Sequence, residues 1–318
     1  MNASELKVLL MSVTRLTPGQ KADLLLALGA IGPDEEVRAL VETRLTERLA
    51  CPHCQGDRVV RNGSASGLQR YKCRGCQRTF NALSTTPLAR LRMKTKWLAQ
   101  QDVLQQGLSV HQAAAALEVA ATTAFRWRHR FLKLAQAVKA QELTGVVEAD
   151  ETFFLRSSKG QRPGRKPRKR GGRASRNERG LDLMPILVAR DRSGATADFL
   201  LEAVSKTCLS QALKPRIHSD AILCTDGSAA MAAAAHDMGL QHEALNLRAG
   251  ERVRGPWHIQ NVNAYHGRLK AWIARFKGVA TDYLESYLGW FRALDRASKH
   301  RQKSAPLLAL AMGLQGHH

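Results

Sequence analysis

Three residues suited to binding divalent metal lie in separate, largely apolar stretches of this 318-residue chain. They are Asp150 in VVEADETFF, Asp226 in ILCTDGS and Asn263 in WHIQNVNAYHGRLKAWI. Carboxylates brought together from distant strands repel one another, and a cation between them relieves that repulsion. Two divalent ions flanked by such ligands clamp the attacking and leaving oxygens of a phosphodiester. The pattern therefore predicts a phosphoryl-transfer site that acts on DNA.

Lys270 follows Asn263 at a spacing of two helical turns, which places the two on one face of a helix. An ammonium group has only hydrogen-bond donors, so we expect Lys270 to contact a phosphate rather than a metal ion. Asn263 offers a neutral oxygen, which hard cations accept with less attraction than a carboxylate. Each aspartate, taken alone, could equally be an ordinary turn or cap residue at a strand end.

Other polar residues stand near the predicted ligands. On a strand, Glu148 and Asp150 point to one face and Glu151 to the other, so Glu148 is a reserve metal ligand. His258 and His266 have no acidic partner nearby in the sequence. We expect both to be core or phosphate-contacting histidines rather than general bases.

Four of the six cysteines form two C-x-x-C pairs, Cys51 with Cys54 and Cys73 with Cys76. Two tight knuckles of thiolates suit tetrahedral zinc, and in a reducing cytosol metal binding is a better interpretation than disulfides. Four protein ligands leave no open position for water or substrate, so a single zinc ion here would be structural. The alternative is a set of cysteines unrelated to metal.

The overall charge indicates a polyanionic partner. The chain carries a net charge of +22 with 44% hydrophobic residues, which is an ordinary hydrophobic content with an unusual charge. Nucleic acid and acidic membrane surfaces both concentrate the negative charge that lysine and arginine neutralise. No apolar stretch of about 18 residues or more and no signal-like start is present, which argues against membrane insertion and secretion. We expect a cytoplasmic protein.

Residues 96–133 have the pattern of three helices. We predict that Gly107 ends the first helix, Ser109 caps the second, and Thr122 or Thr123 caps the third. The third helix mixes basic with aromatic residues, as expected of a helix that enters a major groove. A three-helix linker with a solvated basic face would look similar. The candidate DNA contacts on this helix are Arg126, Arg128, Arg130 and Lys133.

Residues 156–180 are the most basic segment, with eleven Lys or Arg against the single acid Glu178. Its Gly, Arg, Ser and Pro content cannot form a packed core. Ten uncompensated charges in one loop repel each other and are best accommodated along a polyanion, so we predict a phosphate-binding arm. The alternative is a solvated charged loop. The candidate contacts in it are Arg165, Lys166, Arg168, Lys169 and Arg170.

Taken together, four features resemble bacterial insertion-sequence transposases of the DDE superfamily, in the zinc-ribbon-bearing ISXO-like group. They are the cysteine quartet, VEADETFF at 147–154, LCTDGS at 223–228 and the segment from His258 to Arg292. The resemblance implies an α/β catalytic core similar to ribonuclease H, a mixed sheet with flanking helices, after a small zinc ribbon and a helix-turn-helix. The domains expected are a helical segment at 1–49, the ribbon at 50–82, the helix-turn-helix at 93–138, the catalytic domain at 142–300 with its basic loop at 156–180, and a tail at 301–318.

The same resemblance implies a D-D-N/E-K signature at Asp150, Asp226, Asn263 and Lys270, with two Mg²⁺ or Mn²⁺ ions held by the first three. Water would hydrolyse the 3′ ends of the element, and the freed 3′-hydroxyl would attack target DNA. The implied partners are double-stranded DNA, as terminal inverted repeats and target, and further copies of the chain. The implied location is the bacterial nucleoid.

Two other functions compete with this one. A catalytically inactive, transposase-derived DNA-binding protein would keep the ribbon and the helices while binding metal too weakly at Asn263. A zinc-ribbon transcription factor with an unrelated effector domain would bind DNA without cutting it. Metal-dependent cleavage separates both from an active transposase.

Overall fold

The computed structural model of the chain describes residues 33–42, 49–160, 183–246 and 249–300, together with a few isolated positions. The chain divides into two compact units. The N-terminal unit comprises residues 1–103 and 312–318, and the C-terminal unit comprises residues 104–311. No helix among the described residues is long and apolar enough to cross a membrane.

The N-terminal unit contains a small three-stranded antiparallel sheet that follows helix α1 (Pro33–Glu42). Its strands pair in the order β1-β2-β3, and its buried core consists of Cys51, Cys73 and Phe80. The ring of Tyr71 stacks on Phe80 with 5.6 Å between centroids. Two cysteines in so small a core leave little apolar packing to hold the sheet. The strands are β1 (Val59–Ala65), β2 (Leu68–Cys73) and β3 (Thr79–Phe80).

The three predicted helices of the helix-turn-helix are present as α2 (Trp97–Gln105), α3 (Val110–Leu117) and α4 (Ala121–Leu132). Ser109 caps α3 through a capping box, as predicted: its hydroxyl accepts from the N–H of Gln112, whose side chain accepts from the N–H of Ser109. The prediction that Thr122 or Thr123 caps α4 is wrong. The helix begins earlier, with Ala120 at the cap position and no side-chain cap.

The C-terminal unit is built on a five-stranded mixed sheet in the order β6-β5-β4-β7-β8. Strand β4 is central: it runs antiparallel to β5 and parallel to β7, while β5 pairs antiparallel with β6 and β7 parallel with β8. The predicted class of an α/β core with a mixed sheet is confirmed. The strands are β4 (Val146–Leu155), β5 (Leu183–Asp191), β6 (Thr196–Leu200), β7 (Ile222–Thr225) and β8 (Gln241–Ala244).

Helices pack on the sheet, and strand alternation decides which residues they meet. Val147 and Ala149 of β4 belong to an apolar core shared with α5 and α6, whereas Glu148 and Asp150 face α7. A short hairpin precedes α7, and α8 contacts β6 and α4. These elements are α5 (Lys206–Leu213), α6 (Ala229–Met238), β9 (Val253–Arg254), β10 (Trp257–His258), α7 (Gln260–Ala274) and α8 (Leu284–His300).

Helix α8 forms hydrogen bonds to the segment between α4 and β4. The Arg292 guanidinium pairs with Asp198 and donates from Nε to the carbonyl of Val138 (2.8 Å) and from Nη2 to that of Ala135 (3.0 Å). Near the middle of α8, the indole N–H of Trp290 donates to the carbonyl of Leu104 (2.9 Å). Helix α8 therefore makes contacts with the first residues of the unit.

Candidate active site, zinc ribbon and nucleic-acid interface

Asp150 and Asp226 lie at equivalent positions on neighbouring parallel strands. In the register of β4 and β7, Glu148 is the partner of Cys224, and each aspartate comes two residues later. Asp226 is the first residue after β7, and the side chain of Asp150 is 19% exposed. Strand β7 ends just before Asp226, whereas β4 continues past Asp150 to Leu155, so the register brings the two carboxylates side by side where β7 ends.

The turn that holds Asp226 depends on Gly227. This glycine has a φ of +76°, and a Cβ built on it would lie 3.1 Å from the Cβ of Ala244. The N–H of Ser228 donates to the Asp226 carboxylate (3.0 Å), and the N–H of Gly227 donates to the hydroxyl of Thr225 (3.1 Å). A larger residue at position 227 would therefore be strained and would crowd β8.

Helix α7 contacts Asp150 through His266. The buried His266 ring places Nδ1 3.6 Å from Oδ2 of Asp150, and its Nε2 is buried with no hydrogen-bond partner. Asn263 lies nearly one turn before His266 and Lys270 about one turn after it, and both are exposed. Sequence reasoning missed the pairing of His266 with Asp150 because the two residues are far apart along the chain. The shared helix face of Asn263, His266 and Lys270 was the available signal.

Glu151 adds a third negative group. As alternation predicts, it does not share a face with Asp150, yet burial, and then the charges of Asp150 and Asp226, raise the pKa of its carboxyl to about 7. Its Oε1 is buried with no hydrogen-bond partner. This region of the sheet therefore concentrates negative charge that a cation would relieve, and oxygen donors of this kind suit Mg²⁺ or Mn²⁺.

Glu148 is not available as the reserve metal ligand that the sequence suggested. Its carboxylate is fully buried and accepts from the N–H of Asn261 (2.8 Å), the Nδ2 amide of Asn261 (2.8 Å) and the N–H of Val262 (3.0 Å). Arg192 and His258 also lie against it, at 3.1 and 3.4 Å from Oε1. Both of its oxygens are occupied by the start of α7 and these neighbours.

The four ribbon cysteines converge. All four Sγ atoms lie within 4.8 Å of one another, with Cys51 and Cys76 3.6 Å apart and Cys54 and Cys73 also 3.6 Å apart. Zinc–sulfur bonds of about 2.3 Å place tetrahedral thiolates roughly 3.8 Å apart, so the quartet fits zinc. The backbone N–H of Cys76 is the main group that lowers the pKa of the Cys73 thiol, to about 7, and so favours the thiolate.

In the described part of the chain, this quartet is the one group of three or more acidic, histidine or cysteine side chains whose ligand atoms lie within 4.8 Å of each other. Among those same residues, Asp150 and Asp226 do not belong to a second group of this kind, although His266 lies 3.6 Å from Asp150. The amide oxygen of Asn263 is a donor that such a search does not include.

Helix α4 has one buried and one solvated face. Thr122, Arg126 and Lys133 are exposed or partly exposed and Arg130 is half-buried, at spacings that form a single stripe. Arg128 is only 1% exposed, donates to the Tyr287 hydroxyl (3.2 Å) and the Leu108 carbonyl (2.6 Å), and lies over the Trp290 ring. The prediction that Arg128 contacts DNA is therefore wrong: helical periodicity turns it into the core, where it is part of the packing.

The basic loop is described only at its start. Lys159 donates to the Gly278 carbonyl (3.1 Å), and the hydroxyl of Thr281 accepts from the N–H of Ser157 (2.8 Å). These bonds anchor the loop beside the connection between α7 and α8. The predicted phosphate contacts Arg165, Lys166, Arg168, Lys169 and Arg170 lie outside the described residues.

Comparison with known proteins agrees with these features. Residues 142–292 match the ISXO2-like transposase domain. That segment, just under half of the chain, is therefore similar to ISXO2-like transposase domains. Residues 46–77 match the InsA N-terminal domain, a zinc ribbon, and residues 90–137 match a homeodomain-like domain. The resemblance noted from the sequence is thus confirmed, as are the ribbon and the helix-turn-helix that precede the transposase domain.

One relative and two solved structures illustrate what the chain is similar to. A Halobacterium salinarum protein described as an uncharacterized protein in transposable element ISH50 is 28% identical over 260 residues, which are 80% of this chain and 87% of that protein. A Mos1 transposase paired-end complex with left transposon end is 14% identical, with a TM-score of 0.24 over 67% of this chain and 78% of that chain. A simian T-cell lymphotropic virus intasome bound to PP2A regulatory subunit B56 gamma is 11% identical, with a TM-score of 0.30 over 61% and 67%. TM-scores this low establish nothing further about the transposase domain.

Proposed function

We propose that the chain is an active DNA transposase that cleaves the 3′ ends of its own element and joins them to target DNA. The observation that carries this proposal is the register of β4 and β7, which sets Asp150 and Asp226 side by side where β7 ends. Asn263 on α7 is the third proposed ligand, as a neutral oxygen donor. Burial is the main cause of the raised pKa of Glu151, and the further contributions of the Asp150 and Asp226 charges support a site whose negative charge a cation would relieve.

The residues have separate tasks in this mechanism. When bound, two divalent ions activate the attacking oxygen and neutralise charge at the scissile phosphate. Asp150, Asp226 and Asn263 hold the ions, and the exposed Lys270 contacts a phosphate and fixes the strand. Water and then the freed 3′-hydroxyl act as nucleophiles, so the reaction needs no nucleophilic side chain.

DNA recognition is assigned to the preceding modules. We propose that the ribbon, with one structural zinc ion, and the solvated stripe of α4 bind the terminal inverted repeats through Arg126, Arg130 and Lys133. The basic loop would hold phosphates near the active site. Because two ends of an element must be processed together, we propose that the chain acts as an oligomer on DNA.

A second function is favoured by one observation. Asn263 is neutral, and among the described residues Asp150 and Asp226 form no group with a third acidic, histidine or cysteine side chain in which all ligand atoms lie within 4.8 Å of one another. A protein that bound divalent metal too weakly to cut would still bind the repeats. This inactive, regulatory form is the main alternative.

The deciding experiment is cleavage and joining of a duplex that carries the element's terminal repeat, with Mg²⁺ or Mn²⁺, by the native chain and by Asp150→Asn. We expect both activities in the native chain and neither in Asp150→Asn, with equal binding of the repeat. Binding without cleavage by both proteins would establish the regulatory function instead. Cleavage by Asp150→Asn at the native rate would remove Asp150 from the site.

A further inference from the structure

Glu148 is a buried carboxylate with an unusual set of partners. Oε2 accepts from the N–H groups of Asn261 and Val262, and Oε1 accepts from the side-chain amide of Asn261. The guanidinium of Arg192 lies 3.1 Å from Oε1. A wholly buried carboxylate is costly unless hydrogen bonds and positive charge surround it, and here they do.

These bonds cap helix α7 from another element. The first N–H groups of a helix have no partner within it and normally bond to the side chain of the residue just before it. Here that residue is Ile259, which provides no such bond. Glu148 on β4 supplies the acceptor, and its charge also complements the positive end of the helix. The start of α7 is therefore fixed to the central strand of the sheet.

The position of Glu148 relates the three proposed metal ligands to one another. Along β4, Asp150 comes two residues after Glu148. Across the sheet, Glu148 pairs with Cys224, and Asp226 comes two residues later. On α7, Glu148 bonds to Asn261, and Asn263 comes two residues later. Glu148 thus relates to all three segments, through its own strand, its strand pairing with β7 and its side-chain bonds to α7, and it does so two residues before each proposed ligand.

We propose that Glu148 is the positioning residue of the active site: by anchoring the first turn of α7 to β4, it sets Asn263 against Asp150 and Asp226. This inference rests on the proposed function, because it assumes that these three residues bind the catalytic ions. Glu148 itself touches neither metal nor DNA. Residues that orient the ligands of a metal site typically change metal affinity or activity by about 10- to 100-fold when they are replaced.

Glu148→Gln tests the anchor without changing its shape. The amide oxygen of the glutamine still accepts from the two backbone N–H groups, but its NH₂ group then faces the Asn261 amide and Arg192, donor against donor. We expect Mn²⁺ binding, measured by calorimetry without DNA, to weaken by about 10- to 100-fold and cleavage to fall similarly. Binding of the terminal repeat should be unchanged. Glu202→Gln, which removes an exposed carboxylate, is the matched control.

A compensating change separates positioning from direct metal binding. Asn261→Asp alone puts a carboxylate against that of Glu148 and should also weaken Mn²⁺ binding. In the double variant, the amide at position 148 donates to the carboxylate at position 261, which is the reverse of the native bond, and the site again carries one negative charge near Arg192. The double variant should therefore recover most of the lost Mn²⁺ affinity and cleavage. If Glu148→Gln fails to fold, the Asn261→Asp variant, at an exposed position, carries the test, and its native Mn²⁺ affinity would overturn the proposal.

Amide hydrogen exchange gives a readout independent of metal. The N–H groups of Asn261 and Val262 should exchange faster in Glu148→Gln and regain protection in the double variant. Native Mn²⁺ affinity in folded Glu148→Gln would overturn the proposal. So would a double variant no better than Glu148→Gln, which would make Glu148 a ligand. Failure of the proposed function looks different: the native chain would bind the repeat without cleaving it, whatever the exchange at α7 showed.

Discussion

The cysteine quartet and the aspartate pair are assembled in opposite ways. The cysteines come from two short knuckles of one small module, and two of them form most of the buried core of their sheet. The aspartates come from strands that are distant in the sequence, beside an apolar core that packs β4, β5 and β7 against α5 and α6. In the ribbon, metal would hold the fold together. In the C-terminal unit, the apolar core would form the fold without metal, and metal would reduce the repulsion between the carboxylates that this fold brings together.

Removing zinc should have the largest effect and should be confined to the ribbon. Structural zinc contributes apparent binding free energy of about 10 kcal/mol or more, far above what so small a core supplies. We expect a strong chelator, or Cys73→Ser, to abolish hydrogen-exchange protection of β1 and β2 while β4 and β5 stay protected. Cys208→Ser, in the other unit, is the control. Loss of protection in both units together would contradict the view that zinc stabilises only the ribbon.

Asp226→Asn should separate function from stability. Cleavage should fall on the order of 1,000-fold, as for the loss of one charge-stabilising group at a reacting centre. The melting temperature of the metal-free protein should rise, because the substitution removes the repulsion between Asp226 and Glu151. Asp220→Asn, at an exposed carboxylate, should change neither quantity. A lower melting temperature for Asp226→Asn would mean that the aspartate is structural.

Two substitutions on α4 should affect different properties: Arg128→Met should lower stability, and Arg126→Met should weaken DNA binding. Loss of the Arg128 guanidinium leaves the Tyr287 hydroxyl and Leu108 carbonyl without their donor, so we expect destabilisation of about 2–4 kcal/mol in urea unfolding. Arg126→Met should leave stability unchanged, weaken binding of the repeat and reduce its salt slope by about 1. Equal stability losses would show that α4 has no free face.

The smallest effect concerns His129, whose ring stacks on that of Tyr283 with 4.0 Å between the ring centroids. Burial, with the nearby charge of Arg128, lowers the pKa of His129 to about 4. A lowered histidine pKa means full stability above about pH 6.5 and a loss as pH falls toward 4. His129→Phe should remove part of that loss, on the order of 1 kcal/mol at pH 5 in urea unfolding. An unchanged pH profile would mean that His129 is protonated without cost.

The sequence predicted most accurately what short spacings determine. Cysteine spacing identified the ribbon, Ser109 followed by Gln112 marked the start of α3, and apolar runs ending in aspartate located β4 and β7. These signals act over a few residues, so no tertiary information was needed. The assignment of Asp150, Asp226, Asn263 and Lys270 to catalysis stays a prediction.

Long-range packing explains what the sequence could not reveal. Arg128 was grouped with Arg126 because composition does not show which face of α4 is covered. The ring of Phe276 and the hydroxyl of Tyr287, which contact Arg128, lie far along the chain. Glu148 was expected to bind metal because the strand places it beside Asp150. The amides that occupy it belong to α7, a helix equally remote in sequence from β4. Pattern reasoning finds the polar residue but not its partner.

The contacts between α8 and the first residues of its unit have a consequence for folding during synthesis on the ribosome. Trp290 closes on Leu104 and Tyr287 on Arg128, across 186 and 159 residues. Contacts of such sequence separation form late, because the chain between them must be made and its loop closed first. The part of the buried face of α4 that packs on α8 therefore stays uncovered until translation has passed Trp290. A chain truncated before that point would keep the packing of α3 on α4 but would leave that part of α4 exposed.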